Sequence, residues 1–235
     1  MSVPHLIFIS PKPHRDNDQS LCEAWQQAAQ KYFGEESGTH FSIYEGYLRE
    51  IDAAQLQCDC MVSPANSFGI MDGGYDLELS RVLMGTSQDP WRLTHRVQEV
   101  LRARWRGFAP PATCTLVELP ADAAGAGNPW AARVLAVVPT MRVPDDVDWH
   151  KDLCYNSMWG LLAEIAQWNA SHSEDEQIRR VLMTGLGTGV GRMSVERCAA
   201  QMVLAVKHFR QGWPEEPTWK DVYPASTEVD QTTTL

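Results

Sequence analysis

The chain has no run of about 18 apolar residues, so no transmembrane helix is predicted. The opening segment MSVPHLIFIS lacks the basic flank of a secretory leader, and its short apolar stretch reads as a first strand. Basic residues are scarce: 20 Lys and Arg stand against 30 Asp and Glu, a net charge of −10. Such a surface repels duplex nucleic acid and anionic membranes, and neither is an expected partner. An anionic ligand would have to be held by local donors such as backbone N–H groups. No Cys and His set has metal-ligand spacing. The six cysteines (Cys22, Cys58, Cys60, Cys114, Cys154, Cys198) are scattered, several within apolar runs. They read as reduced core residues of a cytoplasmic or nuclear protein. Cys58 and Cys60 form the one close pair, with no second pair or nearby His, so no metal is expected. The sequence holds no Gly-Lys-Ser/Thr of a P-loop, no strict GxGxxG and no GxSxG, and it implies no resident cofactor. Internal repeats are absent.

What remains is an ordinary globular composition, 44% hydrophobic and 21% charged over 235 residues. That length suits one domain or at most two, with a core that needs no staples. Apolar runs at 5–9, 40–46, 58–63, 113–119, 133–139 and 179–184 read as strands. Helical spacing appears at 20–33, 76–83, 147–168 and 194–209, and Asp89-Pro90 opens another helix to about Trp105. Strands alternating with helices predict an α/β fold, with a mostly parallel sheet covered on both faces. Residues 1–213 read as one domain. Residues 214–235 are polar and broken by prolines, and are expected to be an extended tail from which Trp219 and Tyr223 could dock on the body.

Open α/β sheets bind ligands beyond the carboxyl ends of their strands. Two strand ends here are unusual. MVSPANSFGIMDGGYD (61–76) leaves the core through Pro, Asn, three Gly and two Asp; GLGTGVGRMS (185–194) alternates glycines and ends on Ser194, which reads as a helix cap. Glycines let the backbone approach a ligand, and exposed N–H groups ahead of a helix form an anion site. Two such loops fit a diphosphate. Asn66 offers donors and an acceptor to vicinal hydroxyls, or is simply a turn former. Asp76 suits a general base, or is a helix cap. Arg192, just past the second loop, is a phosphate partner or a solvated residue.

The segment 59–76, followed in order by VLAVVPTMRVP (134–144) and GLGTGVGRMS, resembles the macro domain family of ADP-ribose-binding modules. The resemblance spans roughly residues 40–210. It implies a three-layer α/β/α fold around a mixed, mostly parallel sheet, with residues 5–33 an added β-α unit. It also implies a site. Asn66 would contact the distal ribose. Ala65, Gly73, Gly74 and Tyr75 would belong to the first loop, and Gly187, Thr188, Gly189, Val190, Gly191 and Arg192 to the diphosphate loop. Asp76 matches the catalytic Asp of hydrolytic members. Tyr47, in Gly46-Tyr47-Leu48, stands where the family reads adenine. Ser63-Pro64 and Met71-Asp72 depart from the pattern. The implied activity is binding of ADP-ribose or an ADP-ribosylated substrate and hydrolysis at the distal ribose. The substrate would be an ADP-ribosyl ester, O-acyl-ADP-ribose or ADP-ribose 1″-phosphate. The alternatives are a non-catalytic ADP-ribose reader and a binder of another nucleotide.

Overall fold

The computed structural model describes residues 3–13 and 19–235. Among the described residues, six strands form one mixed sheet: β1 (His5–Ser10), β2 (Phe41–Glu45), β3 (Cys60–Ser63), β4 (Thr115–Glu118), β5 (Val134–Val137) and β6 (Arg180–Met183). Their order is β2-β1-β6-β3-β5-β4, parallel throughout except for β4, which runs antiparallel to β5 at the edge. The helices are α1 (Leu21–Phe33), the one-turn α2 (Ser37–His40), α3 (Gly74–Val82), α4 (Arg92–Trp105), α5 (Leu153–Ser171), α6 (Val195–Gln211) and α7 (Trp219–Asp230).

The strands read as unbroken apolar runs because both faces of the sheet are covered. Along β1, Leu6 and Phe8 enter one core with Trp25 of α1, Met158 of α5 and Met202 of α6. Ile7 and Ile9 enter the opposite core with Leu79 of α3 and Val97 and Leu101 of α4. The period of two therefore splits each strand between two helical layers, giving the α/β/α arrangement. All six cysteines are free and buried in these layers. Among the described residues, no helix is long and apolar enough to cross a membrane.

The chain runs from β1 outward to β2 on one side, and from β3 to the far edge strand β4 and back to β5 on the other, while β6 enters last between β1 and β3. The crevice at this reversal lies beyond the carboxyl ends of β1, β6 and β3.

Three sequence expectations give way. The helix expected from Val147 begins at Leu153. Aspartate side chains supply competing partners: Asp146 Oδ1 accepts from the Asp148 N–H at 2.9 Å, and the Val147 N–H donates to the Gly191 carbonyl. Trp149, within the span expected to be helical, is 75% exposed. The helix expected from Asp89-Pro90 starts at Arg92, because Asp89 Oδ1 takes the Trp91 N–H into a turn.

The extended tail is the third correction. Thr218 and Asp221 form a reciprocal capping box that starts α7, and the helix tolerates Pro224. Trp219 and Tyr223 do not dock; they stack on each other and face solvent. Docking runs instead through Glu228, which accepts from Lys207 Nζ at 2.7 Å and lies 2.8 Å from His208 Nε2, and through Gln201 to Thr232 at 3.0 Å. Replacing Glu228 with Ala is expected to lower stability by about 1 kcal/mol, since these groups are only partly shielded from water. Hydrogen exchange should then speed up over 219–235 while the sheet stays protected. Uniform exchange across the chain would count against this docking.

Candidate functional site

A cleft of about 640 Å³ occupies the crevice, within the range of small-molecule sites. Its floor comes from the ends of β1 (Ser10), the β3 loop (Pro64, Asn66) and the β6 loop (Thr184, Gly185). One wall is the start of α3, from Asp72 to Asp76. The facing wall is Gly187 to Val190, followed by Val195 in the first turn of α6.

The first loop is held rigidly from within. Asn66 Nδ2 donates to the Ile70 carbonyl at 2.7 Å, and its Oδ1 accepts from the N–H groups of Phe68 (3.1 Å) and Ile70 (3.3 Å). The loop is thus an Asn-centred turn, and one amide hydrogen of Asn66 remains without a partner among the described residues. Met71, one of the departures from the family pattern, is buried in the α3–α4 core. Its N–H donates to Thr94 Oγ1 and its carbonyl accepts from Ser80 Oγ, both at 3.1 Å.

Asp76 is not the helix cap. Gly73 holds that position, and Asp76 falls in the first turn with its side chain turned toward the end of β3. There its Oδ1 accepts a 2.6 Å hydrogen bond from Ser63 Oγ, and only 8% of the residue is exposed. Burial pushes the Asp76 carboxyl up to about 7; the Ser63 hydroxyl pulls it down, and the neighbouring Asp72 charge raises it further. A carboxyl poised near neutral pH at a cleft wall suits proton transfer.

The walls supply donors without charge. The N–H groups of Gly74, Tyr75 and Asp76 make no backbone hydrogen bond among the described residues, as expected for a helix start, and the same holds for Thr188, Gly189 and Val190. Among the described residues, Lys12 is the single basic side chain lining the cleft, against Asp72 and Asp76. An anion would therefore rest mainly on backbone donors and the positive end of α3.

Of the residues the sequence singled out, Asn66, Gly73, Gly74, Tyr75, Asp76, Gly187, Thr188, Gly189 and Val190 line the cleft. Tyr75 contributes only in part: it packs against the α3–α4 core, and its hydroxyl is buried without a partner among the described residues. Ala65 is turned into the same core. Gly191 sits beneath the loop, where a Cβ would lie 2.5 Å from the Gly187 carbonyl oxygen and 2.8 Å from Val147 Cγ2. Arg192 takes a left-handed backbone (φ 55°) outside the lining, with its side chain exposed. Tyr47 also lies outside it, in an exposed turn after the edge strand β2. Ser10, Pro11, Lys12, Pro13 and Gln19, from the connection after β1, line the cleft as well.

Sequence reasoning missed that connection and missed Ser63. The one signal for Ser63 was a hydroxyl ending an otherwise apolar strand, next to Pro64, with no turn of its own to cap.

No family model and no curated protein matches the chain. Solved structures similar to it include three macrodomains. That of Mycobacterium tuberculosis DarG is 17% identical and has a TM-score of 0.48, over 71% of this chain and 87% of that one. The Oceanobacillus iheyensis macrodomain with ADP is 12% identical with a TM-score of 0.47, over 75% and 83%. The Trypanosoma brucei macrodomain is 16% identical with a TM-score of 0.45, over 68% and 53%.

Proposed function

We propose that this cleft binds ADP-ribose or a derivative and hydrolyses the bond at its distal ribose. The observation that carries the reading is Asp76: a buried carboxyl, held by Ser63 and poised near neutrality, in one cleft with two donor-rich glycine loops. The loop motifs and their order, which resemble the macro domain family, support the choice of ligand.

In this reading the diphosphate lies between the Gly74–Asp76 and Thr188–Val190 donors, and the distal ribose lies by Asn66 and Asp76. Ionised Asp76 takes a proton from water as the water oxygen forms its new bond. The scissile bond breaks with its electron pair on the leaving oxygen, which regains that proton from Asp76. The chemistry applies equally to an ADP-ribosyl ester, O-acyl-ADP-ribose or ADP-ribose 1″-phosphate.

One observation favours a second reading, a reader without chemistry: the Asn66 amide is largely consumed inside its own loop, leaving one N–H for a ribose. Calorimetry with ADP-ribose, run beside release assays on the three substrate classes, separates the readings. Binding with turnover of at least one class is expected. Binding without turnover leaves the reader, and no binding at millimolar concentration removes both.

A further inference from the structure

A second, smaller pocket of about 260 Å³ shares two wall residues, Thr140 and Met141, with the cleft. Met141 is bridged to Asn66 by backbone pairing, so the shared wall stands at the end of the cleft where Asn66 lies. The pocket is lined on its apolar side by Phe108, Val143 and Trp149, and on its polar side by Arg142, His150, Asp145 and Asp146. Trp149 is fixed by its indole N–H, which donates to the Asp146 carbonyl at 3.1 Å, and its ring lies against His150. Phe108 meets Phe68 edge-on at 5.6 Å.

These residues are unusually open. Trp149 is 75% exposed, and Phe68, Ile70, Phe108 and Val143 are all exposed around the same wall. Apolar surface gathered beside a cleft marks a binding face, whereas scattered exposed residues would not. In addition, Thr140 Oγ1 is buried on the shared wall without a hydrogen-bond partner among the described residues. An unmade hydrogen bond in a buried hydroxyl is costly unless a ligand or a water completes it.

On the reading above, whatever is bonded to the distal ribose must leave the cleft past Asn66 and Met141. A phosphate or a small acyl group would end there and would make no use of Trp149 or Phe108. We infer that the pocket at Trp149 is an acceptor subsite for a polypeptide, seating an apolar side chain that flanks the ADP-ribosylated residue. The preferred substrate is then modified protein, with the free derivatives served by the cleft alone.

The inference rests on the ADP-ribose reading, and the test keeps the two apart. Three ligands are compared by calorimetry: free ADP-ribose, and two peptides joined to ADP-ribose through a hydrolysis-resistant link, one with aromatic and one with Gly-Ser flanks. The aromatic peptide is expected to bind wild-type protein roughly 10-fold more tightly than free ADP-ribose, and Trp149→Ala to remove that gain while leaving free ADP-ribose unaffected. Phe108→Ala should act in the same direction. Equal affinity for all three ligands overturns the subsite and leaves the ADP-ribose reading intact. Binding of none overturns both. Should Trp149→Ala instead shift a dimer to a monomer in light scattering without touching peptide affinity, the face belongs to a second copy of the chain and the subsite is wrong.

Discussion

Asp76→Asn is expected to reduce turnover by roughly 10²–10⁴-fold while ADP-ribose still binds. The substitution keeps shape and hydrogen-bonding capacity and removes only the ability to take a proton. The Asp76 carboxyl lies at about 7, so the wild-type rate should rise through that pH as the group ionises and fall away on the acid side. Ser63→Ala removes the hydrogen bond that pulls the carboxyl down, so the acid limb should move to higher pH with the ligand still bound. An unchanged rate for Asp76→Asn would take proton transfer away from this residue.

The same carboxyl makes a separate statement about stability. Its folded-state pKa lies above the ordinary 3.8, so between about pH 4 and 7 the folded chain holds a proton that the unfolded chain has released. Stability from this group is full below pH 4 and is lost as pH rises through about 7. Asn is neutral throughout, so Asp76→Asn should melt higher than wild type at pH 8 and close to it at pH 4. Thermal melts across that range read the difference directly. A gain in stability paired with a loss of turnover is the signature of a group kept for chemistry at the expense of folding.

The layers were legible because strands buried on both faces must be apolar through their buried centres, and β1, β3, β5 and β6 are. The two loops were legible because glycines concentrated after a buried strand have few other uses. Strand order was not. Tyr47 follows β2 closely in sequence, but β1 lies between β2 and β6, so β2 is an edge strand and its following turn stands away from the cleft. Ser63 was hidden for a related reason: its partner lies 13 residues on, in a helix whose angle to β3 is set by packing. Two segments carry local signals that point in opposite directions. The spacing of Trp149 and Leu153 looked helical, yet the aspartates at 145, 146 and 148 favour turns. In the tail, the prolines outweighed the Thr218–Asp221 capping box, which was readable in the sequence.

Two glycines in the second loop separate architecture from ligand binding. At Gly189 an added Cβ would meet nothing within 4 Å among the described residues, whereas at Gly191 it would strike the Gly187 carbonyl oxygen at 2.5 Å. Gly191→Ala is therefore expected to destabilise the fold by about 1–3 kcal/mol, since backbone and Val147 must both move. It should lower the melting temperature whether or not the cleft binds anything. Gly189→Val places its branched side chain in open space on the cleft wall, beside the N–H groups of Thr188 and Val190. Its melting temperature should match wild type, while ADP-ribose affinity falls by about 100-fold, roughly 3 kcal/mol, because the diphosphate can no longer reach those donors. If Gly189→Val bound ADP-ribose as wild type does, the alternating glycines would be explained by packing alone, as Gly191 already is. The loop would then be a tight strand-to-helix turn with no part in holding a diphosphate. A stable Gly189→Val protein that has lost binding requires the opposite: a glycine that the fold does not need and the ligand does.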